Sequence, residues 1–357
     1  MDHAHDINGA SVLYRRHRCP GSAREEVDMP DTPSAAAERG DRLHDLAHRV
    51  QKEGADLLAE VDPEDADAVS FVLERARELQ ERAGASALLL SEHHVDLAGI
   101  GIPLGGTIDV AFVNPGGPAF AQDHKFGRAW VDPPRWNWQA RAYAWGLREA
   151  FGCTTVTFAL AQPAAEDRYR YREHAFLAED LDQHAGDIRA IVAATKAPDA
   201  PLVPGEHCGF CRARATCPAR AQVAAEVTVL RDPMATVRAM TPPQRGSFYG
   251  RLSVAIEHLA AARSQIEAEA IAGTLELDGY RVGPGKRSRS WADEGVAHAA
   301  LLRLANDLGK DPSLLIRTAI ASPAEAEKIL GRGAKDALAE VTTWTDGKPR
   351  LTQGKTL

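Results

Sequence analysis

Apolar positions along this chain follow first a helical rhythm and then a strand-like one. From about residue 34 to 54, Leu43, Leu46, Ala47 and Val50 fall on one helical face. Ser34 is placed to cap the start, and Glu38 carries the charge that a helix N-terminus favours. A second helix, about 63–84, opens at DPEDAD. Short apolar stretches then predict strands near 87–97, 104–113 and 118–125, the last two joined by Asn-Pro-Gly-Gly-Pro. Pro133-Pro134 breaks the chain before a helix at about 136–151. The β-branched TTVTFALAQP predicts a strand at 154–163, and an acidic helix covers about 177–196. Residues 1–33 show no periodicity and read as irregular. Beyond about 225 the character changes. A long helix over 241–272 aligns Phe248, Leu252, Ile256, Leu259 and Ile266. A strand pair around Gly283-Pro284-Gly285, helices near 293–308 and 323–340, and an open tail follow. Helices and strands thus share one α/β (α+β) chain, in two regions, 1–225 and 226–357, the second mainly helical with a small basic hairpin.

The hairpin at 106–127, GTIDVAFVNPGGPAFAQDHKFG, carries charge where its apolar flanks argue for burial. Side chains alternate along a strand, so Asp123 and Lys125 share a face and His124 takes the other. A turn centred near Gly116 sets Asp109 opposite Asp123, within the ~5 Å of directly opposed residues. Two carboxylates that close need a cation between them. Oxygen ligands suit a hard divalent ion such as Mg²⁺. The plain alternative is a surface hairpin with ordinary charges.

Composition narrows the classes. Apolar residues make up 44% and charged residues 26% of the 357, the balance of a globular protein. No apolar run approaches the ~20 residues of a membrane span, and MDHAHDINGA lacks a signal pattern, so a cytoplasmic protein is expected. A net charge of −8 supplies no global attraction for nucleic acid, so DNA binding would rest on local basic patches. GKT at 354–356 lacks the upstream glycine of a phosphate-binding loop, so the chain has no helicase motor and duplex opening would need a partner, such as a helicase or a single-strand-binding or annealing protein.

In a reducing compartment the five cysteines read as metal ligands or free thiols. HCGFCRARATC sets Cys208, Cys211 and Cys217 as C-x2-C-x5-C, three thiolates for one metal centre. Cys153 opens an apolar strand and reads as a buried small hydrophobe, whereas Cys19, beside Pro20 and Gly21 in a polar loop, is the better fourth ligand. Spacing alone leaves zinc against iron–sulfur open, and unrelated surface thiols are the plain alternative. A zinc deaminase is not expected, because no histidine is followed two places on by Glu.

Together these residues resemble a RecB-type nuclease of the PD-(D/E)xK superfamily, in the branch with an iron–sulfur cluster that includes CRISPR-adaptation nucleases and the AddB subunit. A phage- and prophage-associated family of such nucleases is more similar still. The resemblance rests on CPGSAREE, AAAERGDRLHDLAH and CGFCRARATC, with a Gly-Tyr-Arg…Ser-Arg-Ser-Trp stretch near 279–291, and spans most of the chain. It implies a restriction-endonuclease-like core, a mixed sheet flanked by helices. It implies Asp109 and Asp123 as ligands of Mg²⁺ or Mn²⁺, the backbone carbonyl of His124 as a third, His44 as the additional ligand of this branch, and Glu92 as an accessory one. Lys125 would orient the attacking water or stabilise the phosphoryl charge. Gln139 and Tyr143, four apart on one helical face, would support the site and contact the DNA backbone. Cys19, Cys208, Cys211 and Cys217 would hold a structural [4Fe–4S] cluster, with structural Zn²⁺ as the alternative.

Two further features carry double readings. Trp130, Trp136, Trp138 and Trp145 could stack on unpaired bases, although packing is the stronger expectation. Lys286, Arg287 and Arg289 form a basic cluster that could track phosphates or stand in a solvated loop. The expected function is a metal-dependent DNA exonuclease of phage recombination, replication or repair. The alternatives are an inactive DNA-binding or assembly module on a nuclease fold, and a zinc-stabilised interaction protein that leaves the hairpin unexplained.

Overall fold

The computed structural model describes residues 7–30, 35–166, 170–283, 288–315, 321–331, 334–345 and 350–353. Two compact units divide the chain, Met1–Ala261 and Ala262–Leu357.

The first unit is a mixed α/β structure. A five-stranded sheet runs in the order β1 (Leu88–Leu97), β2 (Ile102–Val113), β3 (Pro118–His124), β4 (Thr155–Ala161), β5 (Tyr171–Leu177). Only β3 and β4 are parallel. That pair needs a crossover, supplied by α5 (Trp138–Phe151). Strand alternation divides the core between the two faces. Ala111, Val113, Ala119 and Ala121 pack with Ala140, Ala144 and Leu147 of α5 and with Leu181 and Ile188 of α6 (Ala178–Thr195). Val110 and Phe112 turn the other way, onto Ala76 and Leu79 of α4 (Pro63–Ala83). Beside α4, α3 (Ala35–Glu53) buries Leu43, Ala47 and Val50 against Val69, Val72 and Phe126. Asp62 caps α4 by accepting from the Glu64 N–H, with Pro63 at the first helical position.

Several elements depart from the sequence pattern. The N-terminal arm is not irregular. It forms α1 (Leu13–Arg18) and α2 (Ser22–Glu26), too short for apolar periodicity and buried through charged side chains instead. The unexpected β5 is an edge strand whose YREHAFL is too polar to alternate cleanly. Ser34, the expected cap of α3, lies outside the described residues. The expected 225/226 boundary falls within α7 (Pro218–Thr228), which is followed by α8 (Pro233–Ala239) and α9 (Pro242–Ala272). The expected α9 stripe is not a buried face. Phe248 is buried, but Ile256, Leu259 and Ile266 are exposed, because α9 packs instead through Ala255 and His258, whose Nδ1 meets Arg214 O at 3.0 Å.

The second unit has its own core of Leu301 and Ala305 on α10 (Glu294–Asp307), Ala326 and Leu330 on α11 (Pro323–Leu330), and Leu338 on α12 (Lys335–Ala339). Gly331 ends α11, which divides the helix expected over 323–340. The expected basic hairpin is absent among the described residues. The strands β6 (Tyr280–Gly283) and β7 (Ser288–Trp291) do not pair with each other. They pair with β9 (Arg350–Gln353) and β8 (Thr342–Thr345), the segment expected as an open tail. Among the described residues, no helix is long and apolar enough to cross a membrane.

Candidate functional site

The β2–β3 ladder runs in the register expected from a turn at Gly116, from Val113↔Ala119 to Val110↔Gln122. Asp109 and Asp123 are the next step. There the side chain takes over from the backbone: Asp109 Oδ2 accepts the His124 N–H at 2.5 Å. Across the β1–β2 ladder, Ser91↔Val110 and His93↔Ile108 leave Glu92 opposite Asp109, with a φ of 47°. A left-handed glutamate within a strand is strained and held by its surroundings.

Helix α3 brings His44 onto this end of the sheet. His44 Nδ1 lies 3.2 Å from Asp109 Oδ1, and His124 Nδ1 lies 4.0 Å from Asp109 Oδ2. One ligand atom from each of His44, Asp109 and His124 falls within 4.8 Å of the others. The two imidazoles stack at 6.1 Å, and Phe126 meets the His44 ring edge-on at 5.1 Å. Ring packing therefore fixes the positions of His44 and His124. The resemblance implies the His124 backbone carbonyl as a ligand, and the geometry also offers its imidazole.

Asp123 and Lys125 form a second group. Lys125 Nζ sits 2.7 Å from Asp123 Oδ2 and donates to Gln139 Oε1 at 2.8 Å. Gln139 Nε2 donates to Asp123 Oδ1 at 3.0 Å, which closes a triangle. Tyr143 is buried and hydrogen-bonds Gln139, so it stands behind the triangle rather than on a surface that DNA could touch. A Cβ on Gly106 would lie 2.7 Å from the Tyr143 hydroxyl, which explains a residue without a side chain there.

Burial and mutual charge set opposed titration shifts on these side chains. Burial pushes the Asp109 carboxyl up, but His124 and the His44 hydrogen bond outweigh it and hold it down at about 2. Burial pushes the His124 imidazole down to about 4, so it is neutral at pH 7 with a lone pair free to bind. Burial disfavours the His44 cation, but Asp109 raises its pKa overall. Burial also raises Asp123 against the pull of Lys125. Although part of Glu92 reaches solvent, partial burial and then the Asp109 charge push its carboxyl up to about 7. Five ionisable side chains with such opposed shifts at one sheet end mark this as the candidate functional site.

The cysteines meet elsewhere in the unit. Cys19, Cys208, Cys211 and Cys217 are buried and line one pocket, whereas Cys153 is buried in the main core. Backbone N–H groups of Val203 and Gly205 donate to Cys19 Sγ (3.3 Å) and Cys208 Sγ (3.4 Å), the kind of donors that favour thiolates. Burial raises the Cys208 thiol, with the Gly205 N–H and then Arg220 acting against it, and pushes Cys211 up to about 12. Gly21 packs so tightly that a Cβ would lie 2.6 Å from Ala200 O.

A charged cluster missed by the sequence reading clamps the N-terminal arm to the cysteine loop. Glu26, fully buried, pairs with Arg15 at 3.0 Å and Arg16 at 2.7 Å and accepts the Arg212 N–H at 2.7 Å. Arg15 donates to Phe210 O at 2.8 Å. Cys211 is thus gripped on both sides. Burial raises Glu26, but Arg15 and Arg16 hold it below the usual carboxylate range. Glu26→Ala should strand two buried guanidinium groups and destabilise the first unit by about 3–5 kcal/mol in urea unfolding. Because the folded carboxyl titrates below the unfolded one, this stabilisation is present above the usual Glu range and fades as pH falls through the folded value.

Of the basic cluster, Lys286 and Arg287 lie outside the described residues. Arg289 is not free for DNA: it pairs with Glu327, donates to Pro323 O and lies over the Trp344 ring.

The chain belongs to the family described as "Protein of unknown function (DUF2800)", whose model matches residues 5–355. Among solved structures, one titled "Crystal structure of SSO0001" is similar at 14% identity and a TM-score of 0.28, covering 61% of this chain and 90% of that one.

Proposed function

We propose that this chain is a metal-dependent deoxyribonuclease on a PD-(D/E)xK-type core, acting on phosphodiester bonds as an exonuclease and stapled by a [4Fe–4S] centre at its cysteines. The supporting observation is the pairing of a preassembled His44–Asp109–His124 trio with the Asp123–Lys125–Gln139 triangle at one end of the sheet.

The trio fits a divalent ion: one carboxylate held low, one imidazole held neutral by burial, and a second imidazole oriented by Asp109 at 3.2 Å. Two imidazole donors favour Mn²⁺ over the harder Mg²⁺. A bound ion would supply Lewis-acid polarisation of the scissile phosphate and the attacking water. The protein's part is positioning. Lys125 has three N–H donors and spends two on Asp123 and Gln139, which leaves one for a phosphoryl oxygen. Its side chain is 25% exposed, so that donor can meet a substrate. Gln139 fixes both partners and Tyr143 fixes Gln139.

Four buried thiols lining one pocket are the donor set of a thiolate-held centre, a [4Fe–4S] cluster with structural zinc as the alternative.

The decisive assay incubates purified full-length protein with Mn²⁺ or Mg²⁺ and end-labelled single- and double-stranded DNA. Metal-dependent release of short products supports the reading, and uncut DNA under every metal rejects it. In the same assay His44→Ala should raise the Mn²⁺ needed for half-maximal cleavage by about 10-fold or more, with Mg²⁺ activity lost first. An unchanged metal titration would return His44 to a structural role.

A further inference from the structure

Helix α7 starts directly after Cys217, the last thiol of the pocket, and carries Arg220 in its first turn. Arg220 is 1% exposed. A guanidinium that deep needs an anion beside it and acceptors for its N–H groups. Arg220 has little of either. Its Nη2 meets Val254 O at 3.4 Å and Glu257 Oε2 at 3.6 Å, both long, and the Glu257 side chain is 54% exposed. Its Nε and Nη1 are buried with no hydrogen-bond partner. A buried donor that nothing accepts is costly, and so is a buried cation with no close anion.

The same residue lines the cysteine pocket, and its charge acts on the Cys208 thiol in the direction of the thiolate. Other polar side chains of the wall are committed elsewhere. His207 Nε2 meets Val203 O at 2.8 Å, and Glu25 lies 3.2 Å from Arg24. Arg15 spends Nη1 on Phe210 O and Nη2 on Glu26, but its Nε is also buried and unpartnered. The pocket therefore holds an unbalanced cation and unfilled N–H donors together with four buried thiols. These are complementary. Thiols that lose their protons to a metal become the anion that Arg220 lacks.

We infer that Arg220 is the counter-cation of the cysteine centre, with Nε and Nη1 donating to sulfur atoms there. The inference rests on the proposed thiolate-held centre and adds the residue that balances its charge. Four thiolates outweigh the positive charge of a zinc ion or of a [4Fe–4S] core, so the centre as a whole is an anion. A buried anion needs what Arg220 has to spare, a fixed positive charge and N–H groups. In an iron–sulfur cluster, net charge and hydrogen bonds to sulfur also set the reduction potential. Lysine at 220 would keep the charge, and methionine would keep the bulk without charge or donors.

The test compares full-length wild type with Arg220→Met and Arg220→Lys, each purified without oxygen and assayed for iron and zinc. Thermal unfolding is measured on loaded protein and on protein stripped by a chelator under reductant. Loaded Arg220→Met should melt earlier than loaded wild type, because the centre has lost its counter-charge. In the stripped pair the difference should vanish or reverse, because methionine removes a buried cation that nothing else balances. Arg220→Lys should recover most of the loaded stability. The chelator concentration that strips half of the metal should be about 10-fold or more lower for Arg220→Met, the scale for outer partners of a metal site. That measurement decides the matter if the stripped proteins show no cooperative transition. In an iron-loaded protein the midpoint potential should also fall in Arg220→Met, since the added electron loses a nearby positive charge, a shift that a packing role would not produce. Equal destabilisation of loaded and stripped protein, wild-type-like melting and metal retention by Arg220→Met, or an unchanged midpoint in the iron-loaded protein would overturn the inference. Stoichiometric zinc removes the cluster, and the melting and chelator measurements then decide Arg220 on the zinc centre. Protein that binds neither metal, as purified or after reconstitution, ends the centre and the role of Arg220 with it. Metal held equally well by wild type and Arg220→Met ends the role of Arg220 alone.

Discussion

Asp109→Ala should take metal-dependent DNA cleavage below detection while the protein stays folded. Asp109 is the hinge of the trio: one oxygen faces His44, the other accepts the His124 N–H, and it is the one carboxylate among the three. Alanine would leave two imidazoles with no anion between them. Lys125→Ala should cost about 10²–10³-fold in cleavage rate with a smaller effect on metal titration, the scale for losing one preorganised donor at a developing charge. Asp123→Ala should cost at least as much, since it frees both Lys125 and Gln139 and removes a carboxylate beside the trio. The measurement is the initial rate of product release at saturating Mn²⁺, with thermal unfolding of each variant as the control for folding. Wild-type-like cleavage by Asp123→Ala, free of contaminating nuclease, would sink the assignment.

What could be read in advance follows from how local the information is. The β2–β3 register was legible because a Pro-Gly-Gly turn and apolar alternation fix it within one hairpin, and that register brings Asp109 next to Asp123. The role of the His124 imidazole was not legible. Alternation sends it to the face opposite Asp123, and only the packing of α3 on that face brings His44 to meet it. Glu26, Arg15 and Arg16 lie in a stretch that reads only as irregular, because nothing in their spacing reveals that they are buried together beside the cysteine loop. The same limit explains the C-terminal strands. A local Gly-Pro-Gly suggested that β6 and β7 pair, but each takes its partner from the end of the chain, where TTWT and RLTQ carry little apolar signal. The tryptophans fell between these cases: their clustering was visible, but which of them face solvent depends on arginines from α5 and β5.

Cys19→Ser should strip the proposed cysteine centre and destabilise the whole first unit, although Cys19 belongs to the arm and not to the His44–Asp109–His124 trio. Its sulfur lines the same pocket as Cys208, Cys211 and Cys217 and accepts the Val203 N–H. A centre held by all four would join the arm to the far end of the unit, closing a loop that contains the entire sheet. Cross-links over loops that long are worth ~4–5 kcal/mol on the disulfide scale, used here by analogy. The Glu26 clamp holds the same two segments without a metal, so Cys19→Ser should melt early yet remain folded at low temperature, while Cys19→Ser with Glu26→Ala should fail to fold. Cys153→Ser should keep the full metal content, because that thiol is buried in the main core and donates to Leu147 O at 3.6 Å. Protein purified without oxygen should be brown, with about four irons per chain for one cubane cluster. Colourless protein with one stoichiometric zinc would reject the cluster and keep the staple. Full metal content and wild-type melting in Cys19→Ser would reject the staple itself, leaving Glu26 and its two arginines as what holds the arm in place.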